Sequence, residues 1–126
     1  MNDIKNFVED LGIVAFEANI KIAGIAVMSD LGRIVFQTTN WDLIDQTKAI
    51  LDLIKGLNSI VLSGQTFQVI ERNSNGIIAK SESGMGSLIF APFQGGSLIS
   101  YAMPQTDLVK ALDFLKNYAV KLKGKV

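Results

Sequence analysis

The stretch from Gly64 to Met103 constrains the fold more than any other part of the chain. Four runs of strand-forming residues follow one another there: Thr66–Arg72, Gly76–Glu82, Ser87–Phe93 and Ser97–Met103. The breaks between them are Asn73-Ser-Asn-Gly76, Ser83-Gly-Met-Gly86 and Gln94-Gly-Gly96. Asn-Gly and Gly-Gly breaks supply the positive φ that tight hairpins need, so the stretch reads as an antiparallel meander rather than a set of βαβ units. Helical patterns flank it. A meander between helices offers a surface to a partner, and nothing in it gathers groups for chemistry.

Upstream, Ile4, Phe7, Val8 and Leu11 recur at helical spacing, with Asn2 or Asp3 as the candidate cap. Gly12 is the expected end, and Ile13–Ala18 either continues the helix or links onward. Ile22–Met28 reads as a buried strand, Ser29–Gly32 as a turn and Arg33–Thr38 as the returning strand. Thr39–Asp42 has the form of an acidic capping box. It precedes a helix with Leu43, Thr47, Ile50, Leu51 and Ile54 on one face and Gly56 as its stop. Ile60–Leu62 is a short strand or an extended lead. After Pro104, Thr106 is expected to cap a last helix with the apolar face Leu108, Ala111, Leu112, Leu115, Tyr118, Ala119 and Leu122. Lys121, Lys123 and Lys125 follow, at the negative end of its dipole.

Several strands are apolar on both pleat faces. Leu88 and Phe90 point one way and Ile89 and Phe93 the other; Ile34 and Phe36 oppose Val35. Such a sheet needs cover on both sides. The fold expected is α+β: one domain over residues 1–126, with a central antiparallel sheet of about six strands sandwiched by three helices. Pro92 cannot donate to a ladder, which puts it at an edge or bulge and brings Phe90, Pro92 and Phe93 near an accessible part of the sheet.

The chain has 126 residues, no cysteine and no histidine. Disulfides, thiolate nucleophiles and the commonest general base are therefore absent, and neither catalysis nor a cofactor is expected. Lys plus Arg and Asp plus Glu both number 12, so no net field attracts nucleic acid. Lys80 and Ser81 are adjacent on a strand and face apart, which defeats a Ser-Lys pair. Gly84-Met-Gly86 lies between strands and reads as a turn, not a nucleotide loop. Asp42 and Asp45 read as helix-start residues, and Lys116, Lys121, Lys123 and Lys125 as a solvated helix end. Trp41, the sole tryptophan, fits a surface anchor and a packing staple equally well. The start lacks a basic, apolar leader, and the longest strongly apolar run, Ile22–Met28, falls far short of the ~20 residues of a membrane helix. A cytoplasmic protein is expected.

The runs Gly64–Ile70, Gly76–Lys80, Gly84–Phe90 and Gly95–Tyr101, with Asp30–Phe36 before them, resemble the profilin family in element order and turn placement. The resemblance spans about Ile22 to Leu122. It implies a monomeric, non-enzymatic, actin-binding regulator of filament assembly. The family's actin face, built from the later strands and last helix, corresponds here to Arg72, Lys80, Glu82, Phe90, Lys110, Asp113, Lys116 and Asn117. Where profilins carry the aromatics of a proline-peptide platform, this chain has Ile4, Phe7 and Phe36, with Tyr118 alone near the end. A second resemblance is to the Roadblock/dynein light chain family, through the Ala26–Val35 hairpin and a similar element order. It implies instead a homodimeric scaffold or regulator of small GTPases.

Overall fold

The computed structural model describes residues 2–38 and 41–125, with side chains from Ile4 onward. Helix α1 (Asn2–Glu17) leads into strands β1 (Ile22–Ser29) and β2 (Ile34–Gln37). Helix α2 (Thr47–Lys55) is followed by β3 (Ser59–Leu62), β4 (Gln65–Asn73), β5 (Gly76–Ser81), β6 (Ser87–Phe93) and β7 (Gly96–Ala102), then by α3 (Leu108–Ala119) and a 3-10 turn, Val120–Leu122. The strands form one antiparallel sheet in the order β2-β1-β7-β6-β5-β4-β3. Seven strands stand where about six were expected, because Ser59–Leu62 pairs fully with β4 as an edge strand.

Strand alternation divides the core. Ile25, Val27, Ile78, Ile89, Ala91 and Leu98 pack beneath α1 and α3, against Leu11, Leu112 and Leu115. Ala26, Met28, Phe67, Ile77, Leu88, Phe90 and Ile99 face the other way, with Ile50 and Leu53 of α2. The sheet is thus covered on both faces, as its two-sided apolar pattern requires.

Several local details depart from what the residue pattern predicts. Helix α1 runs through Gly12, whose place on the helix leaves open space where a Cβ would stand. It ends at Glu17, where Asn19 takes φ 61°, a left-handed conformation asparagine tolerates. Helix α2 begins later than the expected box. Asp42 accepts from the Ile44 amide at 3.2 Å and opens a 3-10 turn, Ile44–Gln46, that precedes it. Thr39, the other half of that box, and the capping side chains of Asn2 and Asp3 lie outside the described residues. Asp107, not Thr106, caps α3: its carboxylate accepts from the Lys110 amide at 3.1 Å, while Thr106 donates to the Lys21 carbonyl.

Two bulges break strict alternation. Val35 is an extra residue in β2 opposite the Val27–Met28 step, so Phe36 packs with Val35 on the α1/α3 side and not with Ile34. Ile70 is extra in β4, between Val69 opposite Ala79 and Glu71 opposite Ile78. Each reverses the facing of the residues beyond it.

Candidate functional site

With no cysteine or histidine in the chain, and no cluster of three carboxylates among the described residues, the candidate site is a surface. Helix α3 positions half of it. Ala111, Leu112, Leu115 and Ala119 bury its inner face, which turns Lys110, Asp113 and Asn117 outward. Lys116 is half-buried, and its ammonium donates to Oδ1 of Asn75 in the β4–β5 turn. That bond ties the helix to the hairpin beside it. Val109 in the first turn of α3 and Val120, in the 3-10 turn that follows the helix, expose their apolar side chains.

Strands β4 and β5 supply the other half. Lys80 is exposed on the pleat face it shares with Ile78, which is the α3 side. Its partner across the ladder is Gln68, whose amide donates to Glu82 at 2.7 Å. Helix α3 packs on β5, β6 and β7, so β4 beyond them presents exposed residues on this side. Lys80, Glu82, Asp113, Lys116 and Asn117 therefore share one side of the molecule. Lys110 stands at the N-terminal end of the α3 stripe, where it borders a shallow depression with Lys21 and Thr106.

Two expected members are displaced. Arg72 lies on the opposite sheet face, opposite Ile77, because the Ile70 bulge reverses it. There its guanidinium donates to the carbonyl oxygens of Leu53 at 2.9 Å and Leu57 at 2.6 Å. Phe90 is 1% exposed in the core under α2 and offers nothing to a partner. Pro92 is the exposed residue of that trio. It lies beyond the last residue that β5 pairs with β6, so the ladder is open on one side there. The same bulge that removes Arg72 brings Glu71 to the α3 side, opposite Ile78, beside the exposed Ile70. Neither was expected, since a bulge leaves no mark in an apolar alternation this short.

Between α1 and α3 sits an aromatic cluster. Phe7 meets Tyr118 edge-on with ring centroids 5.9 Å apart, and Phe114 lies 5.0 Å from Tyr118. The Lys121 ammonium caps the Tyr118 ring at 4.6 Å. Tyr118, expected to stand alone near the end of the chain, is thus joined by Phe114. Burial pushes the Tyr118 hydroxyl above its ordinary pKa, and the negative charges of Asp10 and Glu17 add to the shift.

No family model matches the chain. Among known proteins it is 32% identical over 87 residues to Odin profilin of Odinarchaeota yellowstonii, across 68% of this chain and 72% of that one. The chain belongs to the profilin family. This profilin is also 27% identical to Loki profilin-2 of Lokiarchaeum over 130 residues, across 94% of each chain. Its structure matches that of LokiProfilin2 solved in complex with rabbit actin at a TM-score of 0.89, with 25% identity, across 100% of this chain and 99% of that one. The match to Schizosaccharomyces pombe profilin has a TM-score of 0.68 at 21% identity, across 83% and 87% of the two chains. The Roadblock resemblance is set aside with its small-GTPase partner: five strands, not three, follow α2 here, and the relatives are profilins.

Proposed function

We propose that this profilin binds an actin-type protein through the α3 stripe and the open β4–β5 face, and that it regulates filament assembly without catalysis. The observation that carries this reading is the likeness, over the whole chain, to a profilin solved together with actin. The surface supports it. Lys80, Glu82, Glu71, Asp113 and Lys116 surround a face that also carries exposed Val109, Val120 and Ile70. Apolar contacts among charges of both signs suit a partner surface that is recognised by complementarity and then desolvated.

The action follows from mass balance. A monomeric profilin that holds one actin subunit lowers the concentration free to nucleate and elongate. Such work places it in the cytoplasm with its partner. Sedimentation velocity with an actin-type protein should give a one-to-one complex, and filament assembly followed by pyrene fluorescence should slow as profilin is added. Neither a complex nor a change in assembly with any actin-type protein would overturn the reading.

A further inference from the structure

On the α2 side of the sheet, away from the α3 stripe, the backbone is shaped to seat two aromatic rings against each other. Trp41 lies against Gly24 of β1: a Cβ there would stand 2.8 Å from Trp41 Cε3. Tyr101 lies in the same way against Gly86, where a Cβ would stand 2.7 Å from the phenol oxygen. The Tyr101 hydroxyl donates to the Met85 carbonyl, which fixes the second ring. The two ring centroids are 6.3 Å apart at 58°. Both residues are partly buried.

Beside them opens a cleft of about 250 Å³ that both rings line. Its floor is Leu62, Phe67 and Leu88, all buried. Phe67 meets Tyr101 edge-on at 6.3 Å. The rim holds two neutral polar side chains, Ser63 and Gln65. Ser63 is held at φ 52°, and its amide donates to Gln46 at 2.9 Å. Gln65 accepts from the Ser81 hydroxyl at 3.4 Å. Among the described residues, no ionisable group other than the Tyr101 phenol lines the cleft.

We infer that this cleft binds a neutral planar ring bearing one hydrogen-bonding group, of the phenol or indole class. The volume falls below the roughly 300–1,000 Å³ of drug-sized sites, which limits the occupant to a single small ring system. Aromatic walls favour a ring that stacks on one and meets the other edge-on. A neutral rim disfavours an ion, whose desolvation nothing would offset, and rewards a donor or acceptor at the ring edge. The ring is either a free small molecule or an aromatic side chain of a partner.

Titration of the ¹⁵N-labelled protein with phenol, indole and N-acetyl-tyrosinamide tests the site by NMR. Saturable shifts are expected at the Trp41 indole N–H, the Gln65 side-chain amide and the Tyr101 backbone amide. Benzene, lacking the hydrogen-bonding group, should bind about tenfold more weakly. The double variant Ser63→Ala/Gln65→Ala keeps both walls and should bring phenol down to the benzene affinity. Gly24→Ala should displace Trp41 and abolish binding. If N-acetyl-tyrosinamide binds tighter than phenol, the natural occupant is a protein side chain; if it is excluded, the occupant is a free ring. Absence of saturable shifts with every probe at millimolar concentration, or unchanged phenol binding in the double variant, would overturn the inference. Neither result bears on the α3 stripe, since actin binding is a separate measurement on another side of the sheet.

Discussion

The guanidinium of Arg72 reaches from β4 to the C-terminal end of α2, donating to the carbonyl oxygens of Leu57 at 2.6 Å and Leu53 at 2.9 Å. The last carbonyls of a helix lack the amide of a following turn; that of Leu53 accepts from the Gly56 amide at 3.1 Å and has a second lone pair for Arg72, and a cation there also meets the negative end of the dipole. Arg72 is thus a clamp on α2. Arg72→Met keeps the apolar stem and removes the bonds. It should lower stability by roughly 1.5–3 kcal/mol, the range for hydrogen bonds from a charged group, read as a shifted urea midpoint. Actin binding should be unchanged. An unaltered midpoint would show that water replaces the guanidinium at no cost.

Arg72 also marks the limit of what the residues alone reveal. The meander was legible because its information is local: turns such as Asn73–Gly76 and two-sided apolar runs such as Ser87–Phe93 specify strands without reference to anything distant. The face on which a residue ends was legible only where alternation is unbroken, as from Ile77 to Lys80. Past the bulges at Val35 and Ile70 it inverts, and Arg72 and Glu71 exchange sides. Contacts between distant elements were not legible at all. Phe114 meets Tyr118 and Phe7 only because α1 and α3 lie side by side on one sheet face. Trp41, poised between anchor and staple in the sequence, turns out to rest on Gly24 as the wall of a cleft.

Leu112 is central to the buried stripe of α3 and only 4% exposed. Its Cδ1 would lie 2.9 Å from a Cβ at Gly76, so helix and hairpin meet closely there. Leu112→Ala should cost roughly 2–5 kcal/mol, as for other large-to-small changes in a packed core. A thermal midpoint equal to that of the parent protein would mean that the stripe is not part of the core.

The raised pKa of Tyr118 makes stability fall in alkali. Its neutral form is favoured in the folded chain by burial first and then by Asp10 and Glu17. The unfolded chain ionises first, near pH 10. The stabilisation is therefore fully present below about pH 10 and is lost as pH rises through the folded-state pKa. Tyr118→Phe should flatten this part of the stability profile in denaturant titrations above pH 10. A profile identical to that of the parent protein would remove Tyr118 as the cause.

Polyproline should bind negligibly. Recognition of a polyproline helix needs an open groove of aromatic faces. Here Tyr118 is engaged edge-on by Phe7, flanked by Phe114 and covered by Lys121. Calorimetry with a proline decamer should give no measurable heat. Micromolar affinity would show that Lys121 swings aside and that the cluster opens.

Lys80 carries the test of the partner surface. It projects from β5 on the α3 side, opposite Gln68, with Glu82 two residues on. An exposed lysine at the end of a strand makes little contribution to folding, so reversing its charge should leave the melting temperature unchanged. At the rim of an interface the same reversal places like charge against whatever acidic group the partner presents, slows association and costs up to several kcal/mol. Lys80→Glu should therefore weaken inhibition of actin assembly while its melting curve overlays that of the parent. Raising the ionic strength should narrow the difference between the two proteins, because a rim charge acts through a screened field. Equal inhibition by both, alongside a clear effect of the parent, would exclude Lys80 from the contact and move the surface toward Asp113 and Asn117 on α3.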